Sequence, residues 1–324
     1  MKQINEDIKR QNFKQVYLLY GEERYLRRQY RDKLRKALSD ENDTMNTHFF
    51  EGKDVPVGQI IDLAETLPFL AHRRTIFITD SGLFKSGGEK MAEYLSSPSE
   101  TTFFVFTESE IDKRSKLYKT VQSKGYAAEF ATQDENTLKR WIAGTLAKEG
   151  KKITENTALS LLSKTGTDMD NIQMELEKLI CYCMERDIVT AEDIDAICTT
   201  RISNHIFDMI NAIAARQQKQ ALDLYYDLLA LKEPPMRILF LIARQCNMLL
   251  QTKELKSKGY DNRTIASKIG VAPFVAGKYV NQAAKFKTST LRSAVEKCVN
   301  AEEAVKTGKI NDVMSVEILI LSVL

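Results

Sequence analysis

The segment that most restricts the fold is the apolar run Val16–Tyr20, followed by Gly21 and then the stretch GEERYLRRQYRDKL. Five consecutive apolar residues ending on a glycine, then apolar residues at helical spacing, read as a buried strand turning sharply into an amphipathic helix. Phosphate-binding loops use this geometry to aim backbone N–H groups and a helix N-terminus at an anion, and they close with a Lys followed by Ser or Thr. Gly-Lys occurs at Gly52-Lys53, Gly150-Lys151, Gly277-Lys278 and Gly308-Lys309, but the next residues are Asp54, Lys152, Tyr279 and Ile310. None is the Ser or Thr that completes the motif. The opening is therefore either a scaffold like that of the nucleoside triphosphatases that has given up hydrolysis for binding, or an ordinary βα unit.

The alternation continues to about residue 135. Strands are expected at 16–20, 47–51, 75–79, 101–107 and 126–131, with helices after Gly21 and at 57–66, 89–95 and 112–124. Five strands alternating with helices imply a parallel sheet covered on both faces, and TTFFVFT reads as a strand buried on both sides. After Gln133 no β-rich run recurs and the apolar spacing becomes three and four. In TGTDMDNIQMELEKLICYC the residues Ile172, Leu176, Leu179, Ile180 and Cys183 share a helix face, and Thr167 with Asp170 reads as a capping box. Further helices are expected at 203–215, 219–231, 234–258, 262–269, 273–286, 288–306 and 312–324, with Pro234 and Pro235 suiting a first turn. The layout is an α/β domain over 1–137, a small helical domain over 138–207 and a larger helical domain over 208–324.

A chain of 324 residues is too long for one ordinary core, and its 43% apolar and 28% charged residues exclude a disordered protein. Five scattered cysteines do not form an extracellular disulfide framework, and no signal peptide or membrane-spanning stretch is read, so a soluble cytoplasmic protein is expected. Net charge is only +3, yet residues 1–40 carry 11 Lys or Arg against 6 acids, and residues 251–290 carry 8 against 2. Such excesses fit either nucleic-acid phosphates or solvated helix faces.

Catalytic chemistry finds no support. Asp80 follows the run TIFIT where a magnesium ligand would stand, but Ser81 replaces its partner carboxylate, so Asp80 reads as a turn residue. Cys181 and Cys183 lie two apart and read as structural thiols rather than zinc ligands. His48, His72 and His205 lack metal-ligand spacing. No catalytic, cofactor or metal site is expected.

Six segments, VYLLYGEERYL, TLPFLAHRRTIFI, DMDNIQMELEKLICYC, EPPMRILFLIARQ, APFVAGKYVNQAAKF and AVKTGKI, follow one another over nearly the whole chain. In order and spacing they resemble the delta subunit family of the bacterial DNA polymerase III clamp loader. The resemblance implies an AAA+-like parallel-sheet domain, a small helical lid and a C-terminal helical collar. It also implies lost nucleotide binding and no intrinsic activity in an accessory subunit of a DNA-directed DNA polymerase complex, itself a nucleotidyltransferase. Implied partners are the sliding clamp (beta subunit), other loader subunits through the C-terminal domain, and primer-template DNA within the complex, with no membrane. The family's clamp-contacting turn falls on Leu67, Pro68, Phe69 and Leu70, with Phe69 and Leu70 as the inserted pair and Leu67 in support. Here the pair reads Phe-Leu where Leu-Phe is a familiar order, which leaves open the residue that goes deeper.

From the residues alone, apolar side chains at a helix-to-strand junction more often cap a core, although Pro68 bars regular helix at the residues before it. The chain has neither a four-cysteine zinc module in its first domain nor a Ser-Arg-Cys tripeptide, and both absences favour delta over its sister subunits. Two alternatives stand beside this reading. One is a divergent AAA+ ATPase with an unusual phosphate loop at Gly21, and the other is a free-standing nucleic-acid-binding protein built on the two basic segments.

Overall fold

The computed structural model describes residues 1–40, 43–198, 202–271 and 273–322. It divides into two compact units, Met1–Gln133 and Asp134–Leu324. The first runs α1 (Lys2–Arg10), β1 (Val16–Tyr20), α2 (Arg24–Leu38), β2 (Thr47–Glu51), α3 (Val57–Glu65), β3 (Arg74–Thr79), α4 (Glu89–Tyr94), β4 (Thr102–Glu108), α5 (Lys116–Lys124) and β5 (Tyr126–Glu129). All strand pairings are parallel, in the order β2-β3-β4-β1-β5. The expected strands are present, β1 and β2 with the expected bounds and the other three with ends shifted by one or two residues.

Burial explains the sequence pattern. Every residue of β1 is buried and β4 is buried almost throughout, because helices cover both faces of the sheet centre. One face packs Val16, Leu18, Ile76, Ile78, Phe104 and Phe106 beneath α3, α4 and α5. On the other, Tyr30 of α2 meets Phe130 with ring centres 5.3 Å apart. The buried Tyr17 hydroxyl donates to Asp7 at 2.7 Å and ties down α1, a helix not expected from the sequence. Edge strand β2 instead alternates between covered and exposed residues.

The second unit comprises α6 (Glu135–Lys148), β6 (Lys152–Ile153), α7 (Glu155–Thr165), α8 (Met169–Tyr182), β7 (Ile188–Val189), α9 (Ala191–Ile197), α10 (Ile202–Ala214), α11 (Gln218–Ala230), α12 (Pro235–Ser257), α13 (Asn262–Ile269), α14 (Pro273–Ala284), α15 (Thr288–Lys306) and α16 (Asp312–Ser322). The end of the last helix expected at 324 lies outside the described residues. Two differences from the sequence expectation stand out. The strands β6 and β7 form a two-stranded parallel sheet where no β structure was expected, each too short to show periodicity. And α8 is capped by Asp168, which accepts the Asn171 N–H at 3.0 Å, one residue after the expected Thr167.

Lys151, 8% exposed, donates to the carbonyls of Cys183, Met184 and Arg186 at 2.7, 3.0 and 2.9 Å. A cation thereby satisfies acceptors just past a helix C-terminus. Farther along, α12 is the central helix, and its Ile238, Ile242 and Leu249 are buried in the core while Leu241 is only partly covered.

Candidate functional site

At the carboxyl end of β1 the chain reaches α2 through only Gly21, Glu22 and Glu23. Gly21 has φ 122°, and a Cβ there would lie 2.4 Å from the Phe130 carbonyl oxygen. Its N–H donates to the Glu108 carbonyl at 3.3 Å, and the Glu23 N–H donates to the Phe130 carbonyl at 2.9 Å. The turn is thus fastened to both neighbouring strands. The Glu23 carboxylate accepts the Tyr25 N–H at 3.3 Å as the N-cap of α2. An acid satisfies the helix N-terminus in the place where a phosphate-binding loop leaves its amides for the ligand.

Asp80, at the end of β3 with φ 48°, accepts the Ser109 N–H at 3.2 Å. Sequence reasoning missed its neighbour Glu108, 2% exposed at the end of β4. Glu108 accepts the Ser81 N–H at 3.0 Å, the Ser81 hydroxyl, and the Gly82 N–H at 3.2 Å, while burial pushes its carboxyl above the usual range. Burial holds the guanidinium of Arg27 below its ordinary pKa, against the opposing charges of Asp80 and Glu108. No group of three His, Cys, Asp or Glu among the described residues is placed to hold a metal ion. Of the expected structural thiols, Cys183 is buried and Cys181 is exposed.

The amino end of β3 is different. Helix α3 stops at Thr66, whose N–H and hydroxyl both donate to the Leu63 carbonyl, at 3.2 and 2.6 Å. The chain then turns through Leu67, Pro68, Phe69 and Leu70 before entering β3. Leu67 is 80% exposed, Phe69 59% and Leu70 92%, with Leu70 at φ 50°. The four expected residues therefore form one turn that turns its apolar side chains to solvent, and the core-capping alternative does not hold for its two leucines or its phenylalanine.

The backbone of this turn is fixed from below. Asn46, 3% exposed, accepts the Phe69 N–H at 2.7 Å and donates to the Phe69 carbonyl at 2.9 Å. Asp43 accepts from the Asn46 side chain at 2.9 and 3.1 Å. Arg74, 5% exposed, donates to the Leu67 carbonyl at 3.1 Å and lies 2.7 Å from the His48 Nε2. A guanidinium only donates, so His48 must accept with a neutral ring. Burial and the Arg74 charge both hold its pKa below the usual imidazole value. The flanks are anchored too: the Thr102 hydroxyl donates to the Ala64 carbonyl at 2.7 Å, and the Arg73 guanidinium lies over the rings of Phe13 and Phe103. Asn46, Arg74 and His48 carried no sequence signal for this role, since their partners lie 7 to 26 positions away.

Comparison with known proteins bears on the whole chain. The family model "DNA polymerase III, delta subunit" matches residues 17–130, and "DNA polymerase III delta subunit, C-terminal domain" matches residues 203–323. A DNA polymerase III subunit delta from Bacillus subtilis (strain 168) is 28% identical over 332 residues, covering 98% of this chain and 95% of that protein. The solved structure of the Bacillus subtilis DNA clamp loader delta protein superposes with a TM-score of 0.75 at 27% identity, covering 99% of this chain and 98% of that one. With both family models in sequence order on a chain whose fold matches throughout, the chain belongs to the DNA polymerase III delta subunit family, an accessory component of the clamp loader.

Proposed function

We propose that this chain binds the sliding clamp through Leu67, Pro68, Phe69 and Leu70 and helps to open its ring for loading onto primed DNA. The observation that carries the reading is a large apolar turn held in solvent by buried polar groups. Burying a Phe or Leu side chain is worth about 1.5–3 kcal/mol, so a chain that leaves three such residues exposed forgoes stability unless a partner covers them. A partner pocket that takes Phe69 and Leu70 as anchors would gain ~2 kcal/mol or more from each. Binding opens a ring only to the extent that the open form is bound more tightly than the closed one. The work done on the ring is therefore the difference between the two affinities, not the affinity itself.

On this reading the chain does no nucleotide chemistry of its own. The acid-capped N-terminus of α2 and the engagement of Glu108 and Asp80 by backbone amides support that view. ATP would act in partner subunits, which would join through a collar over residues 208–324, with residues 138–207 as a lid, and primer-template DNA would be met within the assembled complex. The deciding experiment replaces Phe69 and Leu70 together by Ala and measures affinity for the sliding clamp beside circular dichroism. The folded double variant should lose at least a hundredfold in affinity, from two anchors of ~2 kcal/mol. Wild-type affinity in that variant would remove the turn from the interface.

A further inference from the structure

We infer that Asn46, oriented by Asp43, is the positioning residue of the apolar turn, holding it in its binding shape before any partner arrives. The inference rests on the clamp-binding reading above. Asn46 joins two parts of the domain. Its own carbonyl accepts the Thr75 N–H at 2.8 Å and so belongs to the frame of the sheet. Its side chain grips the N–H and the C=O of Phe69 together.

A carboxamide is the side-chain group that offers an acceptor and a donor at the right separation for both main-chain groups of one residue. Asp could accept but not donate, and Ser is too short to span both. The orientation of the amide follows from its surroundings: Nδ2 lies against the Asp43 carboxylate and the Phe69 carbonyl, both acceptors, which leaves Oδ1 for the Phe69 N–H. Asp43 also accepts the Met45 and Asn46 N–H groups at 3.1 and 2.9 Å, closing the loop that carries the amide.

With both polar groups of Phe69 drawn inward, the side chain is what remains facing water. The neighbouring Leu70 sits in the left-handed region, which a leucine rarely adopts unaided. A turn without the Asn46 grip would sample many shapes, and ordering its backbone on binding would weaken association by about tenfold per residue fixed. Asn46 touches no partner in this account. It acts by having the ordering completed in the free chain.

The test titrates the full-length chain against the sliding clamp by calorimetry at several temperatures. Asn46→Ala should weaken binding about tenfold to a hundredfold, because two hydrogen bonds that order the turn are gone. The heat-capacity change of binding should be at least as large as the wild-type value, because the same apolar anchors are still buried and the turn now orders on binding. A reduced heat-capacity change would mark lost anchor contact rather than lost order and would overturn the inference. Asp43→Ala, at a half-exposed position, should weaken binding about threefold to tenfold. If Asn46→Ala fails to fold, folded Asp43→Ala decides, and wild-type affinity there overturns the positioning role. Wild-type affinity in folded Asn46→Ala, alongside lost binding by the Phe69→Ala, Leu70→Ala double variant, overturns this inference and leaves the clamp-binding reading intact. Full affinity in the double variant overturns the reading itself.

Discussion

His48 shows how much of the turn depends on single polar atoms. Its Nε2 accepts from Arg74, whose other arm holds the Leu67 carbonyl, so protonation of the ring would set two cations against each other. The folded state holds this pKa below its ordinary value, whereas the unfolded chain takes up the proton near pH 6.5. The contribution is therefore fully present above pH 6.5 and is lost as pH falls through the depressed folded value. Urea unfolding of the wild type between pH 7.5 and 5.5 should show a larger loss of stability than His48→Gln, which cannot titrate. Equal losses would remove His48 from the brace. The residues of the turn were picked out as a set by the family resemblance, which places the clamp-contacting element on Leu67, Pro68, Phe69 and Leu70. Their exposure, which the resemblance favoured, was not legible in the residue pattern itself, since an apolar run at a helix-to-strand junction looks the same whether it points inward or outward. Asn46 was unreadable for a different reason: a lone Asn before a strand has no local partner, and its bond to Phe69 spans 23 positions.

Among the elements, the β1-to-α2 junction is the one whose sequence cue and structure agree most closely, and it depends on Gly21. The positive φ disfavours any other residue, and the Phe130 carbonyl leaves no room for a Cβ. Gly21→Ala should destabilise the first unit by about 2–4 kcal/mol, from backbone strain plus displacement of the neighbouring chain, as read by urea denaturation. A loss below about 0.5 kcal/mol would mean that the junction relaxes freely. Strands β1 and β4 were readable because burial on both faces demands unbroken apolar runs. The pair β6 and β7 was not, since two residues carry no period and their pairing depends on the intervening α7 and α8 bringing them together. The one-residue displacement of the α8 cap has a similarly local cause. Thr167 and Asp168 both have capping side chains, and the backbone path out of Gly166 selects the second.

In the molecule as a whole, the two ends of the first unit's sheet do different things. The carboxyl ends of β1, β3 and β4, where open α/β sheets ordinarily bind ligands, are occupied by Glu23, Asp80 and Glu108. The amino end of β3 carries the exposed apolar turn. Calorimetry of the isolated chain with ATP and magnesium should accordingly give no saturable heat, and saturable binding would favour the divergent ATPase. No helix among the described residues is long and apolar enough to cross a membrane. In the second unit the apolar faces of α10, α11, α12, α15 and α16 converge on one core, which accounts for most of the helical periodicity read from the sequence after residue 208.

What the sequence determined by itself was whatever is written in local pattern: the alternation of strand and helix, the glycine turn, the missing Lys-Ser/Thr closure, and the change to all-helical spacing after Gln133. Those features follow from periodicity and backbone sterics within a few residues. The direction in which Phe69 and Leu70 face was decided only by tertiary structure, because it depends on Asn46, Arg74 and His48 reaching them from other elements. What fills the carboxyl end of the sheet was decided the same way, by a Glu23 cap and a buried Glu108 whose partners meet only once the strands lie side by side.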